Sequence, residues 1–237
     1  MKKFISLLLL ITGVLVFGQN PEKILDDYYN SIGKNLDNVH SILQKGKMNI
    51  NGMEFPMENY QDLEGRMYSK INMMGSEIVA IAFDGNKGYM FDNATFGYKN
   101  IPDSLAQKFK NKATGIFGEF YKYKEKGIQL KYLGLKKIGD TEYQAIEAHL
   151  KEPAEGDIQD FILYFDPQTH LLSYSEVTTD GKNILVSMED YKNFDGYMFP
   201  SKIDTKVDGV SVTALIFDEI KINPPQPDSS IFTKPKN

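Results

Sequence analysis

The chain has 237 residues, 41% of them hydrophobic, a net charge of −5 and no cysteine. The acidity argues against nucleic acid and anionic lipid surfaces as partners, and the missing cysteine excludes both a disulfide framework and a lipid-anchored mature N-terminus. The hydrophobic fraction and the lack of a low-complexity tract point to a single domain held by its own core.

Residues 1–18, MKKFISLLLLITGVLVFG, run from two lysines through an apolar stretch to small residues, the pattern of a secretory signal too short to span a bilayer. Cleavage is expected near Gly18/Gln19, giving an exported, periplasmic protein with one domain over residues 19–237. Residues 21–39 predict a helix: Asn20 can cap, Pro21 suits the first helical position, and Ile24, Leu25, Tyr28, Ile32 and Leu36 recur at near-helical spacing.

From Gln44 the period changes to two. Strands are predicted at 44–50, 53–61, 65–74, 76–83 and 87–92, joined by Asn51-Gly52, Glu64-Gly65, Gly75 and Asp84-Gly85, all short enough for hairpins. Residues 101–126 place Leu105, Phe109, Ile116, Phe117, Phe120 and Tyr121 at helix-like intervals before Gly127, which predicts one or two short helices lying across the sheet. Strands return at 128–137, 141–151, 157–165, 170–179, 183–193, 197–207 and 210–222. Pro200 inside one of them suggests an edge or a bulge, and the tail PPQPDSSIFTKP reads as polyproline or coil. About 11–12 antiparallel strands with an N-terminal helix and a helical insertion make an α+β protein, and so many successive strands must curl.

Asp84, Asp166, Asp180, Asp195 and Asp208 are each followed by Gly or Pro, the company aspartate keeps in turns. His40, His149 and His170 stand far apart and in no metal or hydrolase motif, and there is no phosphate-binding glycine loop. Hydrolase or transferase chemistry has little support and no cofactor or metal motif is present, which leaves room only for an enzyme whose residues meet in space. Met48, Met53, Met57, Met67, Met73 and Met74 crowd one window, which suits either core filling or an adaptable apolar surface. The segments SEIVAIAF and DFILYF are apolar on both faces and need cover on both sides. A curved sheet roofed by helices could enclose a hollow apolar site or a packed core, and the same inward residues serve both.

The stretches EKILDDYYNSIG, EIVAIAFDGNKGYMFDN, ILYFDPQTHLLSYSE, DYKNFDGYMFPSKI and IKINPPQPDSSIF, in that order over residues 20–237, resemble the outer-membrane lipoprotein-sorting proteins of the LolA/LolB-like superfamily, periplasmic lipoprotein carriers. The resemblance implies an incomplete antiparallel β-barrel closed by helices around a hydrophobic cavity, with lipid or acylated lipoprotein as cargo and an envelope membrane protein as donor or acceptor. It implies no enzyme activity and no metal. In such carriers an arginine on an early strand ties the lid to the barrel, and Arg66 is the sole arginine here. On this reading Met67, Ile71, Met73, Val79, Ile81, Phe161, Leu163, Val186 and Met188 line the cavity. The alternative keeps the barrel but packs its interior, making it an envelope protein–protein interaction module.

Overall fold

The computed structural model describes residues 20–73, 75–112, 116–150 and 160–235. The predicted signal peptide and Met74 lie outside the described residues. Helix α1 spans Pro21–Ile32, and the Asn20 side chain accepts from the Glu22 backbone N–H at 2.9 Å. It stops earlier than the spacing predicts because Gly33 takes φ 156°, where a β-carbon would lie 2.6 Å from the Tyr197 ring. The remaining apolar positions of the predicted helix become a 3-10 turn at Leu36–Asn38.

The strands are β1 Ser41–Ile50, β2 Met53–Asp62, β3 Arg66–Met73, β4 Ser76–Asp84, β5 Gly88–Asp92, β6 Gly97–Asn100, β7 Gln129–Ile138, β8 Thr141–His149, β9 Asp160–Phe165, β10 Leu172–Thr179, β11 Lys182–Phe194, β12 Tyr197–Val207 and β13 Val210–Ile222. They form one 13-stranded sheet in the order β6-β5-β4-β3-β2-β1-β13-β12-β11-β10-β9-β8-β7. Two meanders, β1–β6 and β7–β13, are thus joined side by side through the antiparallel β1–β13 pair. The strand beyond the expected number is β6, four residues that carry no alternation of their own.

Several hairpins turn as the sequence requires. Asn51-Gly52, Asp180-Gly181, Asp195-Gly196 and Asp208-Gly209 all have positive φ at both residues, the geometry of a type I′ turn. Asp84 and Asp166 instead hold their loops by accepting backbone N–H groups from Asn86 and Lys87 and from Gln168 and Thr169, each at 2.8 Å. Pro200 pairs with Tyr191 of β11 beyond the point where β12 begins to pair with β13 at Lys202, so its missing N–H breaks no ladder bond.

Strands β6 and β7 are the open edges, and residues 101–128 carry the chain from one to the other. This crossing segment contains α2, Asp103–Lys112, followed over 116–127 by turns with positive φ at Gly118, Lys122 and Gly127. Leu105 and Phe109 of α2 pack on Met67, Ile81, Phe83 and Met90 of the concave face. Further along, Phe117, Phe120 and Tyr123 join α1 over the concave face of the other strands.

The convex face of β1–β6 has its own cover. Tyr60, Tyr68 and Tyr89 form a cluster on which Ile231 and Phe232 of the C-terminal 3-10 turn, Ser229–Phe232, are seated, and the Tyr89 hydroxyl donates to the Ile231 carbonyl at 2.6 Å. The tail expected to be coil is therefore a docked element. It also explains the two apolar faces of SEIVAIAF, one roofed by α2 and the other facing this cluster.

Candidate apolar pocket

A pocket of ≈ 270 Å³ lies between α1, the crossing segment and the concave face of the sheet. From α1 it receives Tyr28, Tyr29 and Ile32, from the crossing segment Ile116, Phe117 and Phe120, and from the sheet Leu163, Phe165, Leu172, Met188, Met198, Phe199 and Phe217. Among the described lining residues Glu119 is the only charged one. A cleft of ≈ 960 Å³ opens elsewhere, between Arg66, Asp84, Lys87 and the tail residues Phe232–Lys234. It is larger, yet its walls mix both signs of charge and it lies away from the apolar interior, so the smaller pocket is the candidate site.

The roof is anchored by aromatic contacts. Phe117 stacks on Phe199 at 5.9 Å between ring centroids, Phe120 meets Phe161 edge-on at 5.2 Å, and Tyr28 tilts against Phe165 at 5.6 Å. On the outside, two polar clasps fasten the crossing segment to the N-terminal region. The Tyr121 hydroxyl donates to Asp37 at 2.9 Å with Lys122 at 2.7 Å from the same carboxylate, and the Tyr123 hydroxyl donates to Asp26 at 3.2 Å with Lys124 at 3.3 Å. The bonds from Lys122 and Tyr121 hold the Asp37 carboxyl below its usual range.

The hydroxyls in the pocket are hydrogen-bonding groups and not proton acceptors at neutral pH. Tyr191 donates to the Leu172 carbonyl at 2.8 Å. Burial pushes Tyr28 up to about 12 against the opposing effect of its bond with Tyr191, and burial pushes Tyr29 and Tyr191 higher still. Tyr28 and Tyr29 are partly buried and line the pocket. The arrangement can therefore hold an apolar chain beside tyrosine hydroxyls that stay uncharged.

Of the residues expected to line a cavity, Leu163 and Met188 do so. Phe161 shares the Leu163 face and packs on Phe120. Ile71 joins the concave cluster around Met57, whereas Met67 and Ile81 lie under α2. Met73 ends β3 opposite Ser76, and Val186 follows the Met188 face between Ser175 and Thr205, outside the pocket wall. Val79 is on the other side. Pairing runs Ser69↔Ile81 and then Lys70↔Val79, so Ala80 is an extra residue on β4, and this bulge turns Val79 to the convex face beside Tyr60 and Tyr68.

Arg66 does not reach the roof. Its Nε donates to Asp62 at 2.7 Å and its second nitrogen lies 3.2 Å from Glu64, while Asp62, only 4% exposed, also accepts from the Tyr60 hydroxyl. The arginine thus braces the β2–β3 turn, and the clasps on Asp37 and Asp26 hold the roof instead. The lining residues absent from the predicted set are Tyr28 and Tyr29, adjacent aromatics on α1, Phe117 of the crossing turns, and strand residues such as Phe165, Leu172, Phe199 and Phe217. His149, one of the three dispersed histidines, pairs its Nδ1 with Asp160 at 2.6 Å on the convex face.

No family profile and no curated protein matches the chain. Solved structures do. A Vibrio parahaemolyticus domain described as an outer membrane lipoprotein-sorting protein matches with a TM-score of 0.59 at 13% identity, over 90% of this chain and 97% of its own. A LolA superfamily protein from Nitrosomonas europaea matches with a TM-score of 0.57 at 14% identity over 90% and 97%, and a DUF1329 family protein from Desulfovibrio piger with 0.55 at 10% over 89% and 96%. The chain has the fold of the LolA superfamily structures, an α+β incomplete barrel of curled antiparallel sheet closed on its concave side by helices.

Proposed function

We propose that this protein is an exported, periplasmic carrier or chaperone that holds an acyl chain of a lipid or lipoprotein in the pocket under the crossing segment. The observation that carries the reading is the apolar pocket of ≈ 270 Å³ roofed by a segment that spans the two open sheet edges. Removing an acyl chain from water is favourable by about 25 cal/mol per Å², and such a site needs few polar groups. The volume is near the lower end of ligand pockets, roughly 300–1,000 Å³. A long chain therefore enters by displacing the roof, whose clasps are solvent-exposed polar bonds. The resident pocket argues against the fully packed interaction module, and the fold shared with a lipoprotein-sorting domain and a LolA superfamily protein supports the same class of cargo. Loading and unloading would then involve an envelope membrane protein as donor or acceptor.

Native mass spectrometry and lipid extraction of protein purified from the cell envelope test this. Acylated species that co-purify in stoichiometric amount are expected. Protein that is always empty and takes up no fluorescent acyl probe would contradict the proposal.

A further inference from the structure

We infer that Gln44, Asn59 and Ser69 form a polar seat for the uncharged ester or amide linkage of the acyl ligand, an inference that rests on the pocket being an acyl site. The register sets these three side by side across β1, β2 and β3, in the pairs Gln44↔Asn59 and Asn59↔Ser69. Alternation puts them on the concave face: Ile42 and Met57, two residues away on β1 and β2, belong to the concave core, and Ser69 opposes Ile81. Neighbouring positions across such a sheet are about 5 Å apart, so the row spans roughly the width of an ester or amide group with its substituents.

The row begins at the pocket. Gln44 is one of the lining residues, and its neighbour on the other side, Ile220 of β13, is buried in the concave core. A chain lying against Leu163 and Met188 therefore has its polar end directed toward Gln44 and the two strands beyond. The Asn59 carboxamide is left with an unmet need: Oδ1 is buried and has no hydrogen-bond partner, while Nδ2 reaches only the Met57 sulfur at 3.7 Å. With the amide turned over, Nδ2 takes the buried position in place of Oδ1, and this N–H can donate to a ligand carbonyl, which only accepts. An unpaired buried polar group costs on the order of a hydrogen bond or more, and a ligand group that supplies the partner recovers it.

The character of the seat identifies the chemistry. By the same alternation the concave side of β1 to β4 around this row, which includes Ile42, Met57, Met67 and Ile81, carries no charged side chain among the described residues. A phosphate or carboxylate head would be desolvated there without a cation. Two carboxamides and a hydroxyl supply donors and acceptors together, which suits a neutral carbonyl linkage.

Displacement of an uncharged fluorescent dye, N-phenyl-1-naphthylamine, from the mature protein by two lipids tests the seat: 1-monopalmitoylglycerol, and the ether 1-O-hexadecylglycerol, which lacks the carbonyl. The ester is expected to bind about tenfold more tightly than the ether, and Asn59→Leu is expected to bring that ratio to about one. The unfolding midpoint of empty Asn59→Leu is expected to hold or rise, because the substitution removes an unpaired buried oxygen. Gln44→Leu repeats the ratio measurement at the pocket wall. Equal affinities for ester and ether, a ratio unmoved by both substitutions, or a marked fall in the stability of Asn59→Leu would overturn the seat while leaving an acyl pocket intact. Failure of the protein to bind the dye or either lipid would instead overturn the carrier reading on which the seat depends.

Discussion

Gly46 occupies the centre of β1 where the two meanders meet, at an irregularity in the β1–β13 ladder, and a β-carbon there would lie 1.9 Å from the Ile216 carbonyl oxygen. Backbone cannot step aside as a side-chain tip can. Gly46→Ala is expected to cost more than about 2 kcal/mol in urea unfolding, in the range of severe overpacking; an unchanged midpoint would mean that the seam is looser than described. A glycine inside a strand was visible in the sequence, but its partner was not, since the neighbour is 170 residues away. Val79 shows the same limit. Counting in twos assigns it to the Ile81 face, and the single extra residue Ala80 reverses that assignment only through pairing with β3.

Turns and hairpins were the legible elements, because Asp-Gly and Asn-Gly dictate their own backbone geometry. Elements defined by docking were not. The Ser229–Phe232 turn exists because Ile231 and Phe232 find the tyrosine cluster on the convex face, and the proline-rich sequence before it gives no sign of that. The roof belongs to this scale as well. Its clasps on Asp26 and Asp37 are exposed, and exposed ion pairs contribute little to stability, so they serve to hold a position more than to stabilise the fold. The double substitution Asp26→Asn with Asp37→Asn is expected to speed dissociation of a bound acyl probe several-fold while leaving the unfolding midpoint nearly unchanged. Added salt should speed release from the native protein and have less effect on the double variant. Slower or unchanged release would remove the clasps from the gating account.

At the scale of the molecule, the described strands form a single sheet whose unpaired edges are joined by the crossing segment, with tyrosines distributed through both covers. Burial, with smaller contributions from neighbouring groups, pushes Tyr28, Tyr60 and Tyr121 up to about 12. In the unfolded chain each titrates near 10. Below that pH the folded state loses nothing; above it the unfolded state sheds protons first, so stability should fall as pH rises from about 10 toward 12. Denaturant titrations at several alkaline pH values measure this, and a flat profile would show these hydroxyls to be solvated. The sequence indicated a curled α+β sheet with helices across it, because strand period and turn chemistry are local. It left hollow and packed interiors open, since Leu163, Met188 and Phe165 face inward in either case, and the contributions of Tyr28, Tyr29 and Phe117 depend on how the roof lands.

The most direct test is photo-crosslinking of the mature protein to a monoacylglycerol carrying a diazirine in its acyl chain, with the modified peptides identified by mass spectrometry. The account predicts adducts on the strands and helix that wall the pocket, around Leu163, Met188, Phe199 and Tyr29. Labelling confined to the convex face around Tyr68, Val79 and Phe232, or none above the level of denatured protein, would contradict it.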